Sequence, residues 1–383
     1  MKENSSSNKK AMLILEDGTK YKAFHFGASV SSSGEVVFNT AMTGYPESLT
    51  DPSYKGQILT YTYPIIGNYG VPIDFNNTED TKKEGYICPF YESDKIQVSG
   101  LLISYYSNRP YHWNMTYTLS DWLEYNGIPG LYNIDTRSLA KKLRKKGGSM
   151  LGKILIEKEN IPFYDPNQEN LAKQVSICKK VIYGKGKYKI LIVDFGLKNN
   201  ILRCLLARNC TIIRVPWDYD FTKEKYDGLV LSNGPGNPKL YKVPIYYIRK
   251  VMKIDKPIFG ICLGHQLLGL AAGGKTYKLE YAHRGVNQPV VLINTRQHFI
   301  TSQNHSFGLD YTPQLYRNWK VFFKNLNDNT CEGIIHNSKP FFSVQFHPEA
   351  SSGPMDTEFL FDIFMNSVIR RYNINHLQKN ENR

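Results

Sequence analysis

At 383 residues, with 41% hydrophobic and 21% charged content, the chain has room for two domains and the balance of a globular protein rather than a disordered or fibrous one. Its net charge of +14 is spread along the sequence instead of gathered into one basic stripe, so charge alone does not make it a nucleic-acid binder. No apolar run approaches the ~18 residues of a membrane span, and the polar stretch over 1–10 reads as a disordered tail rather than a secretory signal.

Residues 11–155 alternate short strands with turn signals and are expected to form an α+β domain. Strands are predicted over 11–15, 35–40, 58–63 and 97–104, and helices over 119–125 and 136–146. The basic run from Lys141 to Lys146 closes the second helix just before Gly147-Gly148, where cations favour the helix dipole. An acidic partner surface is the other use such a run would have. The polar stretch over 74–84 reads as a surface loop, and nothing in this half suggests a catalytic cluster. Residues 156–187, rich in Lys, Asn and Pro, read as a connector.

A different pattern starts at Tyr188 and is expected to reach residue 373, leaving 374–383 as a polar tail. The run KILIV over 189–193 is continuously apolar, as in a strand buried on both faces. A helix over 199–208 follows, then strands over 211–215 and 228–231, a helix over 241–252 and a strand over 257–260. Such alternation predicts a doubly wound, mostly parallel α/β sheet, with sites beyond the carboxyl ends of its strands.

At that edge lies Gly260-Ile261-Cys262-Leu263-Gly264-His265-Gln266, between an apolar strand and a helix predicted over 267–272. It has the G-x-nucleophile-x-G form of a tight strand-to-helix turn, with cysteine as nucleophile. A sulfur at a helix N-terminus is held among free N–H groups that favour a thiolate, and the N–H of Leu263 can stabilise an oxyanion. The other cysteines, Cys88, Cys178, Cys204, Cys210 and Cys331, lack this context and read as small buried hydrophobes. With no C-x-x-C spacing, neither a zinc site nor a disulfide framework is expected, and a reducing, cytoplasmic setting is.

A cysteine nucleophile needs an imidazole and a group to orient it. The strand predicted over 342–346 runs straight into His347-Pro348-Glu349, where Pro348 stiffens the turn that carries both.

G-I-C-L-G-H-Q followed downstream by H-P-E resembles the class I glutamine amidotransferases. The resemblance implies a triad of Cys262, His347 and Glu349, a γ-glutamyl thioester, and release of glutamate and ammonia from L-glutamine. Further motifs resemble the small subunit of carbamoyl-phosphate synthetase: Asn39 to Tyr45, Leu49 to Tyr54, Tyr63 to Gly70, Gly127 to Gly130, Ile134 to Arg137, Asp194-Phe195-Gly196, Ser232 to Pro238, and Ser302 to His305. Carried over by that resemblance, the substrate contacts fall on Ser53, Gly234, Gly236, Leu263, Gln266, Asn304, Ser306 and Phe307. Gln266 and Asn304 have the right groups for the α-amino and carboxylate ends, and glycines at 234 and 236 allow close backbone approach. Ser306 departs from the glycine usual in the family, and Ser53 is equally a turn residue of Asp-Pro-Ser.

Some relatives carry serine at the nucleophile position and depend on free ammonia; Cys262 implies glutamine use. The sequence has no P-loop, Rossmann fingerprint or metal-ligand cluster, so no cofactor is expected in this chain. ATP and Mg²⁺ are expected in a partner, either a large synthetase subunit or fused synthetase domains. Neither nucleic acid nor a membrane is expected as a partner. The competing readings are an amidotransferase serving another synthetase and a regulatory subunit that binds glutamine without hydrolysing it.

Overall fold

The computed structural model describes residues 10–72, 85–157 and 160–381. Most of the expected N-terminal tail and the expected loop over 74–84 lie outside these residues. The N-terminal half contains, in chain order, β1 (Lys10–Leu15), β2 (Lys20–Gly27), β3 (Ser32–Asn39), α1 (Tyr45–Thr50), β4 (Gln57–Tyr61), β5 (Ile65–Ile66), β6 (Gly100–Leu102), β7 (Tyr105–Tyr106), α2 (Leu119–Tyr125), β8 (Pro129–Tyr132), α3 (Thr136–Lys145) and β9 (Met150–Ile156). Seven of these strands close a barrel in the order β1-β2-β8-β6-β4-β3-β9, which leaves no open edge. Alternation drives the closure. In β9, Met150, Gly152, Ile154 and Ile156 are buried while their neighbours are half-exposed, and the three apolar side chains join Leu13, Val36, Ile58 and Leu131 in one cluster.

The C-terminal half contains α4 (Ala172–Val175), β10 (Val181–Tyr183), β11 (Tyr188–Asp194), α5 (Asn199–Leu206), β12 (Cys210–Pro216), β13 (Gly228–Leu231), α6 (Lys242–Val251), β14 (Ile258–Ile261), α7 (Leu263–Ala271), β15 (Lys275–Leu292), β16 (His298–Asp310), α8 (Pro313–Tyr316), β17 (Trp319–Asn325), β18 (Cys331–His336), β19 (Phe341–Val344) and α9 (Phe359–Glu381). They build a ten-stranded sheet in the order β10-β12-β11-β13-β14-β19-β18-β17-β15-β16. Strands β12, β11, β13, β14 and β19 are mutually parallel, the doubly wound core that the sequence predicts. Period-2 alternation sorts β11 between two layers. Ile190 and Ile192 pack with α5 and α9, whereas Leu191 and Val193 pack with α6 and α7.

Several boundaries differ from the expectation. The sheet is longer, because β15 to β18 extend it with antiparallel strands. Part of the expected connector is structured too, since β10 pairs antiparallel with β12 at the sheet edge. The last helix continues through 374–381, the stretch read as a polar tail. Helix α7 begins at Leu263 rather than 267: the elbow geometry, with Gln266 N–H donating to Cys262 O at 3.2 Å, overrides the poor helix propensity of glycine at 264. Cys178 is exposed, contrary to the expectation of burial, because it lies in the polar approach to β10; Cys331 is half-buried, and Cys88, Cys204 and Cys210 are buried.

The two halves meet along a polar seam. Arg203 Nη2 pairs with the fully buried Glu92 Oε1 at 2.5 Å, and Asn199 Nδ2 donates to Tyr91 O at 3.0 Å. No helix among the described residues is long and apolar enough to cross a membrane.

Candidate active site

Strand β14 ends at Ile261, and Cys262 turns the chain into α7 with φ 52° and ψ −103°, a left-handed region that costs a non-glycine residue about 1–3 kcal/mol. Three neighbours hold it there. Cys262 N–H donates to Val344 O at 2.9 Å, Gly264 N–H donates to Ser232 O at 3.0 Å, and the flanking glycines leave no room for side chains. A Cβ at Gly264 would stand 2.1 Å from Leu231 O, and one at Gly260 would stand 2.8 Å from Gly264 O. The elbow therefore sits at the carboxyl ends of β13, β14 and β19, where the sequence places it. Leu263 N–H is the first of α7 and has no acceptor among the described residues, as an oxyanion donor requires.

The imidazole comes from the end of β19. His347 N–H donates to Ser302 O at 2.9 Å, which pins the turn to β16. His347 Nδ1 donates to Glu349 Oε1 at 2.7 Å, so its buried Nε2, without another partner among the described residues, is left for the Cys262 thiol. Burial opposes a charge on His347, but Glu349 and Cys262 outweigh it and raise its pKa to about 10. Burial likewise opposes the charge of Glu349, and there Lys198 and His347 prevail, lowering its pKa to about 2. The decisive cation is Lys198, itself buried, with Nζ 3.1 Å from Glu349 Oε1 and a second bond to Ala350 O.

Ser53, Gly234, Gly236, Leu263, Gln266, Asn304, Ser306 and Phe307, the carried-over contacts, all line one pocket with Cys262. His347 and Glu349 stand behind it, and His347 also lines a second small cavity, with Asp51 and Tyr54 from the barrel half and Ser302 and Ser351 from the sheet half. Ser53 reaches the pocket from the N-terminal half. Asp51 Oδ1 accepts from its N–H at 2.8 Å, and Asn233 Nδ2 donates to its hydroxyl at 2.9 Å, so the turn chemistry serves the site. The amide NH₂ of Gln266 donates to Phe307 O at 2.8 Å and Gln345 Oε1 at 3.0 Å, which leaves the Gln266 carbonyl to accept from a ligand. Gly236 takes φ 84°, and Gly234 is required because a Cβ there would meet Phe195 O at 2.4 Å.

Sequence reasoning missed four polar residues of this site. Lys198 follows Asp194-Phe195-Gly196 and Asn233 lies inside the Ser232 to Pro238 motif, so both were in sight without a role. Gln345, whose Nε2 lies 3.7 Å from Cys262 Sγ, is a lone polar residue in an apolar run. Arg284 had no signal, since β15 was not anticipated. One further group of ligand-type side chains, His283, His305 and Glu332, converges in the structure. Most of its atoms already have partners: His283 Nδ1 bonds Gln303 Oε1 and, within the group, Glu332 Oε1, His283 Nε2 bonds Asp328, and His305 bonds Gln303 and Phe307 O, while Glu332 Oε2 has no partner among the described residues.

A cysteine on a strand–helix elbow, backed by a paired histidine and glutamate just beyond the neighbouring parallel strand, is the arrangement expected from the resemblance to the class I glutamine amidotransferases. Residues 191–367 match that family, Glutamine amidotransferase class-I, and residues 13–154 match Carbamoyl-phosphate synthase small chain, CPSase domain. The two matches lie in the order of the two halves of the fold and leave unmatched only the connector and the ends of the chain. The chain is 50% identical over 363 residues to "Carbamoyl-phosphate synthase [ammonia], mitochondrial" of Mus musculus, which covers 94% of this chain and 24% of the mouse protein. It is 49% identical to "Multifunctional protein CAD" of Squalus acanthias, over 93% of this chain and 16% of that protein. With "Multifunctional protein ura1" of Schizosaccharomyces pombe it shares 44% identity over 96% of this chain and 18% of that protein. The chain thus spans a quarter or less of the length of each of these relatives.

Proposed function

We propose that the chain hydrolyses L-glutamine for a carbamoyl-phosphate synthase, with Cys262 as nucleophile, His347 as proton carrier and Glu349 as its orienter. The observation that carries this reading is the elbow cysteine facing the free nitrogen of a histidine whose other nitrogen is held at 2.7 Å by a buried carboxylate. Cys262 Sγ attacks the side-chain amide carbon, and Leu263 N–H takes the developing oxyanion. Imidazolium His347 then gives its proton to the departing nitrogen, so ammonia leaves and a γ-glutamyl thioester remains. Water attacks the thioester, His347 accepts its proton, and glutamate departs as the thiolate reforms.

The ammonia is delivered to a synthetase, as a large subunit or fused domains, which supplies ATP, Mg²⁺ and bicarbonate chemistry. The cavity beyond His347, lined from both halves, supports a protected exit on that side. Protection matters because ammonium, the form ammonia takes in neutral water, is not nucleophilic. Six free cysteines with none paired fit a reducing, cytoplasmic setting.

A second reading, a synthase fed by free ammonia, is favoured by the names of the mammalian relatives. Cys262 weighs against it. In the complex with its synthetase, Cys262→Ala should lose glutamate release and glutamine-dependent carbamoyl phosphate by roughly 10³-fold or more, while keeping synthesis from ammonium salt. A variant that still binds its partner but loses both nitrogen sources equally would overturn the account of two separate sites.

A further inference from the structure

The triad and the carried-over contacts leave two buried charged residues of the pocket without a task, Glu35 and Arg284. Arg284 is only 3% exposed and lines the same pocket as Cys262. It is the cross-strand partner of Asn304 in the β15–β16 pair, next to an irregularity in register. Its Nη1 donates to Asn304 Oδ1 at 2.5 Å and its Nη2 donates to Ser306 Oγ at 2.6 Å. Its Nε is buried and has no hydrogen-bond partner among the described residues. The carboxylate that offsets its charge is Glu35 of β3, whose two oxygens already accept from Ser149 Oγ at 2.6 Å and Gln57 Nε2 at 2.8 Å. Burying a guanidinium with donors to spare is costly unless something completes it.

The chemistry of the neighbours says what would complete it. Arginine can only donate, so the Asn304 atom facing it is the carbonyl oxygen, and the amide NH₂ is turned away with protons to give. A positive group with a spare donor, beside an oriented NH₂, suits a carboxylate. Gln266 is set the opposite way, with its carbonyl left to accept. The pocket thus has a donor side and an acceptor side, the polarity of an amino acid's two charged groups.

We propose that Arg284 is a specificity-determining residue for the amino-acid end of the substrate: with the Asn304 NH₂ it orients, it receives the α-carboxylate, and Ser306 braces its guanidinium. This rests on the reading that the pocket takes glutamine. It also gives the unusual serine a purpose, because a glycine at 306 would leave Nη2 without that acceptor. The bland alternative is that Arg284 only ties β15 to β16.

The test compares L-glutamine with 4-aminobutanamide, which keeps the amine and the side-chain amide but lacks the carboxylate. Binding is measured by ligand-observed NMR in a Cys262→Ala background, where turnover plays no part. Arg284→Gln should weaken L-glutamine roughly tenfold or more, the size expected from losing a charge-assisted hydrogen bond, and leave 4-aminobutanamide within about twofold. Arg284→Lys, which keeps the charge and loses the fork, should fall between. Ser306→Gly should weaken L-glutamine about threefold alone and add nothing in the Arg284→Gln background. With Cys262 restored, Arg284→Gln should raise KM and leave kcat within about threefold. Equal losses for both ligands, or a fall in kcat at unchanged KM, would overturn the assignment. An unmodified protein that binds L-glutamine through Arg284 yet releases no glutamate would keep the assignment and sink the hydrolytic reading instead.

Discussion

Glu35 of the barrel and Glu349 of the sheet are buried carboxylates stabilised in different ways. In the barrel, the hydrogen bonds to Glu35 come from neutral donors, the hydroxyl of Ser149 and the amide of Gln57, with the Arg284 charge acting without a direct bond. In the sheet, Glu349 is held by Lys198 and His347, and Asp194 by Arg214 Nη2 at 2.7 Å. At Glu349 the charged partners also lower the proton affinity. His265 makes the same point from the other side: it is as buried as His347, but its one ring partner among the described residues is Ser343 Oγ, and burial pushes its pKa down to about 3. The sheet thus carries the groups proposed to hold and move a proton, and the barrel adds Ser53 to the pocket they share.

Removing the cation of the sheet should produce the largest effect. Lys198→Met leaves Glu349 buried with only His347 as partner, and is expected to cost about 3 kcal/mol in denaturant unfolding and roughly 100-fold in glutamine turnover. The acid limb sharpens the test. Glu349 is lowered from 4.5 to about 2, so its contribution to stability is complete above pH 4.5 and is lost as pH falls toward 2. In Lys198→Met the folded-state pKa is less depressed, so that loss should be smaller and complete at a higher pH. His347 is raised from 6.5 to about 10, so its contribution is complete below pH 6.5 and is lost as pH rises through 10, where glutaminase activity should fall as well. An unchanged acid limb in Lys198→Met would remove Lys198 from the account.

A change on the barrel side should act on recognition and act more gently. Ser53→Ala removes the acceptor of Asn233 Nδ2 and is expected to raise KM for L-glutamine about tenfold, with kcat nearly unchanged and the thermal midpoint within a few degrees. A fall in kcat without a change in KM would place Ser53 with the chemistry rather than with the pocket wall.

How much of this was legible in the sequence follows the same division. The elbow and the pairing of His347 with Glu349, on which the proposed triad rests, were, because both are local patterns whose geometry is set within a few residues. The parallel core was, because β11, β13 and β14 are short apolar runs separated by helical periods. The barrel was not, because its closure depends on β3, β4, β6 and β8 meeting from distant segments, which no local pattern encodes. Lys198 and Arg284 were hidden for a related reason: each acts through space on a residue far along the chain, Glu349 in one case and Ser306 in the other. Helix α7 was placed late because Gly264 looks like a turn residue until the approach of Leu231 explains it.

The central claim is that one pocket, shared by both halves, surrounds a single reactive cysteine of the sheet. It is tested most directly by alkylating the chain with a glutamine-like chloroketone and mapping the label, in the natural protein and in Ser53→Ala. The account predicts stoichiometric labelling of Cys262 ahead of the other five cysteines and protection by L-glutamine. It also predicts protection about tenfold weaker in Ser53→Ala, with the rate of Cys262 modification by plain iodoacetamide unchanged. Labelling of Cys204 or Cys331 first, or protection indifferent to Ser53, would contradict it.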